Sequence, residues 1–247
     1  MIRFPKNNQL NGNIVSRITK IFLKICYFSV FTAFLACNSD APKKVEQKNE
    51  IITSTSKPST TQSKKRIVVF GDSLTAGYGL DDVNDAFPGV LQSMIDSLQL
   101  KYTVVNSGVS GETTAGGRNR IDWILSQRPD IFILELGGND GLRGVSLKET
   151  RQNLQSIITS VQTKYPDCQI ILAGMQIPPN LGQDYTTEFK NIFPELAKKN
   201  TIKLIPFLLE DVGGIQELNQ PDGIHPTKEG HQIVAKNVWA ILGPMLQ

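Results

Sequence analysis

The stretch Arg66-Ile-Val-Val-Phe-Gly-Asp-Ser-Leu-Thr-Ala-Gly77 decides the reading of this chain, because an apolar, β-branched run from Arg66 to Phe70 stops at Gly71 and gives way to a polar turn. Tyr102-Thr-Val-Val-Asn106, Ile131-Phe-Ile-Leu-Glu-Leu136, Gln169-Ile-Ile-Leu-Ala173 and Ile202-Lys-Leu-Ile-Pro-Phe207 repeat the pattern. Nearly continuous apolar strands predict burial on both faces. Between them apolar residues recur at three and four: Val90, Leu91, Met94, Ile95 and Leu98; a shorter set of Ile121, Ile124 and Leu125; then Leu154, Ile157, Ile158 and Val161. Those stripes predict amphipathic helices, the first entered at Phe87-Pro88 and the third ended by Pro166. A last helix is predicted from about Thr227, carrying Ile233, Val234, Val238, Ile241 and Leu242. Strands alternating with helices predict an α/β fold: three layers, α/β/α, around a central, mainly parallel sheet of about five strands.

Outward from this block the texture changes. The chain has 247 residues, 40% hydrophobic and 20% charged, a composition that excludes fibrous and wholly disordered proteins. Residues 66–247 form one expected domain, long enough for a single core. Residues 37–65 are dominated by Lys, Glu, Ser, Thr, Gln, Asn and Pro, with Ala41, Val45, Ile51 and Ile52 as scattered apolar residues, and read as a flexible tether. Residues 1–36 read as an export leader, with five Lys and Arg before residue 25 and then an uncharged run from Ile25 to Ala36. Twelve helical residues rise about 18 Å, short of a hydrocarbon core of about 30 Å, which favours a signal peptide over a permanent span. Phe34-Leu-Ala-Cys37 resembles a bacterial lipoprotein cleavage box, so Cys37 is the expected lipidation site and membrane anchor. The expected location is the bacterial cell envelope, on the periplasmic side or the cell surface; a soluble secreted form is the alternative.

Lys and Arg number 26 against 23 Asp and Glu, but the excess sits in the leader and the chain from residue 25 onward is net acidic by two. No nucleic-acid partner is expected. Of the three cysteines, Cys26 would leave with the leader, Cys37 would carry lipid, and only Cys168 would remain in the domain, as a buried small hydrophobe. With two histidines and one domain cysteine no metal site is expected, and no Gly-rich phosphate loop predicts a cofactor.

An open parallel sheet binds ligands beyond the carboxyl ends of its strands. Gly71-Asp-Ser-Leu-Thr-Ala-Gly77, Asn106-Ser-Gly-Val-Ser-Gly-Glu-Thr113 and Gly137-Gly-Asn-Asp-Gly141 follow the first three strands, and Pro221-Asp-Gly-Ile-His-Pro226 precedes the last helix. A serine needs a neighbouring base, and an imidazole titrates in the right range. Asp222, three residues before His225 on a turn containing Gly223, could reach Nδ1 and leave Nε2 for Ser73.

These four ordered motifs, from Arg66 to about Leu242, resemble the Gly-Asp-Ser-Leu (SGNH) family of serine hydrolases. Glu135-Leu-Gly-Gly-Asn-Asp-Gly-Leu-Arg-Gly144 and Met175-Gln-Ile look like its bacterial thioesterase, arylesterase and lysophospholipase group. The resemblance implies Ser73 as nucleophile, His225 as general base and acid, and Asp222 as the residue orienting the imidazole. It also implies an oxyanion hole of the backbone N–H groups of Ser73 and Gly108 and the side-chain amide of Asn139, with no cofactor. The implied substrate is a small acyl ester, thioester or lysophospholipid, and a monomer is expected. A carbohydrate O-acetyl esterase and a non-catalytic lipoprotein binding acyl chains or glycan are the alternatives. Asp72 and Asp140 are expected to hold loops by hydrogen bonds and His231 to pack. The segment from Gln176 to Thr187 is the expected mobile wall of an acyl pocket.

Overall fold

In the computed structural model residues 64–246 are described, so the expectations for the leader, for Cys26 and Cys37 and for nearly all of the tether lie outside them. The sheet consists of β1 (Lys65–Gly71), β2 (Tyr102–Gly108), β3 (Ile131–Glu135), β4 (Gln169–Ala173) and β5 (Lys203–Ile205), in the order β2-β1-β3-β4-β5. Every neighbouring pair is parallel. The α/β/α expectation with a mainly parallel sheet of about five strands therefore holds. Burial on both faces holds for β1 and β3, whereas β2 is half-exposed because it is an edge strand with a single neighbour. The last strand stops at Ile205, where Pro206 has no N–H to offer the ladder.

The helices are α1 (Ser73–Ala76), α2 (Phe87–Ser97), α3 (Thr114–Ile124), α4 (Gly138–Leu142), α5 (Leu147–Lys164), α6 (Gln183–Asn200) and α7 (Lys228–Leu242). One layer contains α2 against α7, the other α3 against α5 and α5 against α6. The stripe Leu154, Ile157, Ile158 and Val161 is wholly buried on α5, and Thr227 caps α7 by accepting the Gly230 N–H. Two helices exceed the apolar pattern. The first turns of α3 contain Gly117, where a Cβ would lie 2.4 Å from Leu136 Cδ1, so this helix sits on the sheet by closeness rather than by large side chains. The α6 helix buries Phe189, Ile192, Phe193 and Leu196 although Pro194 interrupts its backbone ladder.

Gly71 pairs with Gly108 on one side and with Glu135 on the other, so β1, β2 and β3 end level. In this strand order the chain leaves β1 and β3 in opposite directions, opening a crevice between them, and the turns after both strands meet there. Gly108 also supports α1 from below: a Cβ at that position would lie 2.2 Å from the Ala76 nitrogen and 2.8 Å from the Asp72 carbonyl oxygen. Gly108→Ala is therefore expected to destabilise the fold by about 1–3 kcal/mol through overpacking, read as a lower urea midpoint. An unchanged midpoint would mean that α1 does not rest on β2.

Candidate active site

The turn that carries Ser73 is held from beneath. Asp72 caps α1, its Oδ1 accepting the Leu74 N–H at 3.0 Å, and Ser73 opens the helix, largely buried. Under the turn lies Glu135, the last residue of β3 and fully buried, whose Oε2 accepts the Asp72 N–H at 3.1 Å and the Thr75 hydroxyl at 2.7 Å. Its Oε1 is buried with no hydrogen-bond partner among the described residues. Burial, and then the neighbouring Asp72 charge, pushes the Glu135 carboxyl well above the usual carboxylate range. Burial also lifts Asp72, to about 6, against the hydrogen bonds it accepts from Leu74 and Asn139 and the charge of His225.

The second half of the site arrives from the loop before α7. His225 Nδ1 lies 2.7 Å from Asp222 Oδ2 and Nε2 lies 2.9 Å from Ser73 Oγ. A carboxylate against Nδ1 fixes the tautomer with its hydrogen there, leaving the Nε2 lone pair for the serine hydroxyl. Asp222 is itself fixed: its Oδ1 accepts the N–H groups of Ile224 at 3.0 Å and His225 at 3.1 Å. Partial desolvation would raise the Asp222 carboxyl, but the hydrogen bonds from the His225 ring and these two amides outweigh it and hold the group below its ordinary value. Gln220 ties this loop to the Ser73 turn, donating to the Tyr78 carbonyl at 2.7 Å and the Pro226 carbonyl at 3.0 Å. The Tyr78 ring packs against His225, with centroids 4.6 Å apart.

Asn139 enters on α4. Its Nδ2 donates to Asp72 Oδ2 at 3.1 Å and its Oδ1 accepts from Arg143 at 3.2 Å; the same Arg143 nitrogen donates to the Gly111 carbonyl at 3.1 Å. An acceptor on one end and a donor on the other fix the orientation of the amide. The structure thus brings Ser73, His225, Asp222 and Asn139 together, but not Gly108. The Gly108 N–H donates to Asn106 Oδ1 at 3.0 Å and the residue does not line the cleft, so the expectation of an oxyanion donor there is corrected. Gly111, three residues on, does line it at a left-handed φ of 78°. Among the described residues no acceptor takes the Gly111 or the Ser73 N–H.

The cleft above these groups has a volume of about 620 Å³. Gln176, Ile177 and Pro178 form part of its wall, but the expected wall from Gln176 to Thr187 extends no further. Leu181 is exposed outside it, residues from 183 onward belong to α6, and Tyr185 is bonded to the Val145 carbonyl. Phe207, Leu209, Gly213 and Gly214, in the loop after β5, line it as well, as do Tyr78, Leu142 and Ile224. Asp140 accepts from the Thr114 N–H, the Thr114 hydroxyl and Thr150, pinning α3 and α5. His231 is buried, its Nδ1 accepting the Phe87 N–H at 3.2 Å, and burial lowers it to about 4. Cys168 is buried too, and burial pushes its thiol up to about 12. Among the described residues no group of three or more His, Cys, Asp or Glu could hold a metal ion.

Residues 69–233 match the GDSL-like lipase/acylhydrolase family. The chain is 38% identical over 181 residues to the esterase TesA of Pseudomonas aeruginosa, covering 73% of this chain and 89% of that protein. It is 36% identical to the thioesterase 1/protease 1/lysophospholipase L1 of Escherichia coli K12, covering 73% of this chain and 84% of the relative. Among solved structures, that of AlinE4, an SGNH-hydrolase family esterase, is 42% identical with a TM-score of 0.61, covering 74% of this chain and 97% of its own. The chain belongs to the GDSL-like lipase/acylhydrolase family of serine hydrolases.

Proposed function

We propose that this serine hydrolase of carboxylic esters and thioesters works through Ser73, His225 and Asp222, and that medium- to long-chain acyl esters such as lysophospholipids are its substrates. The observation that carries the reading is the continuous hydrogen-bonded line from Asp222 Oδ2 through the imidazole to Ser73 Oγ. Ser73 Oγ attacks the carbonyl carbon while His225 Nε2 takes the hydroxyl proton. The carbonyl oxygen becomes an oxyanion facing the N–H groups of Ser73 and Gly111 and the Asn139 amide. The carbon–oxygen or carbon–sulfur bond to the leaving group breaks as Nε2 returns the proton to it, leaving an acyl-serine. Water, deprotonated by the same Nε2, then releases the acid and restores Ser73. Asp72 acts as a positioning residue, because its carboxylate accepts from Asn139 while its N–H rests on Glu135.

The apolar part of the cleft wall, with Ile177, Pro178, Phe207 and Leu209, favours an acyl chain over a short polar acyl group. The reading places the catalytic domain at 66–247, exported behind a leader of 1–36 and tethered through lipid on Cys37 by residues 37–65; the basic and apolar pattern of the leader and the Ala36-Cys37 step support it.

Ser73→Ala in the full chain is expected to lower kcat on p-nitrophenyl esters by roughly 10⁴-fold or more, and full retention of hydrolysis would overturn the mechanism. Asn139→Ala is expected to lower kcat by about 10²–10³-fold with a smaller change in KM. Activity confined to the acetate ester in a series up to palmitate would favour the carbohydrate O-acetyl esterase instead. The Asp72 carboxyl has a stability signature of its own. Its folded value of about 6 exceeds an unfolded value of about 3.9, so the folded state holds the proton more tightly. Stability from this group is complete below pH ~4 and is lost by roughly 3 kcal/mol as pH rises through ~6. The difference in urea unfolding free energy between wild type and Asp72→Asn should shift by that order across this window, and a constant difference would refute the assignment.

A further inference from the structure

Each of the five loops that follow a strand carries an exposed apolar residue on the cleft side of the sheet: Tyr78 after β1, Val109 after β2, Leu142 after β3, Leu181 after β4 and Ile215 after β5. Ile224, beside His225, makes a sixth, and every one of them is at least 40% exposed. Tyr78, Leu142 and Ile224 line the cleft itself, Val109 and Ile215 adjoin lining residues Ser110 and Gly214, and Leu181 reaches the backbone at Gly144. The other large exposed apolar residues, Val83, Leu98 and Trp123, are scattered, and Trp123 stands at the far end of α3. Single exposed apolar side chains are ordinary, whereas a ring of them around an apolar opening marks a contact surface.

We propose that this rim docks on the surface of aggregated zwitterionic lipid, so that an acyl ester passes from micelle or bilayer into the cleft without crossing water. The inference rests on the acyl-ester reading of the same cleft and adds where the substrate is taken from. Three features identify the occupant. Tyr78, Leu142 and Ile224 belong both to the rim and to the cleft lining, so a chain drawn out of lipid meets apolar side chains at the mouth. The exposed charges on the same loops are mostly acidic, Asp81, Asp82, Glu217 and Asp222 against Arg143, which disfavours an anionic surface and leaves a zwitterionic one. Finally, β1 begins at the end of the sheet opposite the rim, and the 27 residues 38–64 lie between Cys37 and its first residue, Lys65. Fully extended they span about 90 Å, several times the length of a seven-residue strand. A lipid on Cys37 would therefore leave the rim free to turn towards the membrane that holds it.

The test uses the full chain and two substrates, monomeric p-nitrophenyl butyrate and palmitoyl lysophosphatidylcholine taken through its micelle threshold. Wild type is expected to show a rate step at the threshold. The triple variant Val109→Asp, Leu181→Asp, Ile215→Asp, none of which lines the cleft, should lose the step by roughly tenfold or more, since three apolar contacts with lipid are replaced by carboxylates. Its hydrolysis of p-nitrophenyl butyrate should stay within about twofold of wild type, which also reports that it is folded. An equal step in wild type and variant, or no step in wild type, would overturn the docking surface. Should the triple variant fail to fold, Val109→Trp replaces it. Its emission should move to shorter wavelength, beyond that of wild type, on adding dioleoylphosphatidylcholine vesicles, and less so with vesicles rich in phosphatidylglycerol. An emission that follows wild type would refute the proposal, and stronger binding to phosphatidylglycerol would refute the zwitterionic assignment. Because both variants keep Cys37, any lipid anchor is common to all arms. Retained p-nitrophenyl butyrate hydrolysis in Ser73→Ala would instead condemn the serine mechanism, so the two failures are distinguishable.

Discussion

Three segments converge on the backbone of Gly71, and the geometry of the cleft depends on that convergence. A Cβ there would lie 2.1 Å from Thr75 Oγ1 and 2.3 Å from Glu135 Oε2, so no other residue could end β1 without moving one of them. The Gly71 carbonyl accepts from the Val109 N–H at 3.0 Å and from Arg120, which also bonds the Ser107 carbonyl and pairs with Glu112. One glycine thus joins the turns after β1, β2 and β3, from which Ser73, Gly111 and Asn139 are presented. Relaxing it would separate these three groups, and in an active site positional losses of about 1 Å already cost catalysis heavily.

Environment then divides the carboxyl groups into different kinds of work. Glu135 is sealed in, its carboxyl is pushed well up by burial, and it braces the Asp72–Thr75 turn by accepting from both residues. Asp72 is nearly as buried but accepts from two amides, and its carboxyl sits between the two extremes. Asp222 stands largely in water and is held low by three hydrogen bonds. Of the three, the one held below its ordinary value is the one against the imidazole, where a negative charge can stabilise an imidazolium. Had Asp222 been buried like Glu135, its proton would have competed with the one that His225 needs on Nδ1.

Much of this arrangement was legible in the residues, for reasons that can be named. Strands buried on two faces leave unbroken apolar runs, and β1, β3 and β4 appeared where those runs lie. The spacing of Asp222 and His225 on one turn is a local property. Gly108 and Gly111 could not be separated in the same way. Both are glycines in one motif, and what divides them is tertiary: Gly108 is wedged under Ala76 with its N–H on Asn106, while Gly111 turns outward with its N–H free of any described acceptor. Glu135 was hidden because it closes an apolar strand, where one carboxyl reads as an edge rather than a brace. The α6 helix was obscured by Pro194, whose missing N–H is tolerated because Phe189, Ile192, Phe193 and Leu196 bury the same face.

The rim illustrates a further kind of illegibility. Its apolar residues lie 31 to 39 positions apart in sequence from loop to loop, apart from the short step from Ile215 to Ile224, so no window of the chain contains a patch. Only the parallel register makes them neighbours, because in such a sheet every β-to-α connection emerges at the same end. The same topology places Ser73, Gly111, Asn139 and the cleft there. A parallel sheet that collects its chemistry at one end thereby also collects whatever its loops expose. Apolar loop residues at that end surround the opening through which substrate must pass, whereas the same residues at the other end would face nothing the enzyme uses. Exposure of apolar area is unfavourable in water, and its concentration around the cleft is explained when the surroundings of the cleft, in use, are lipid rather than water.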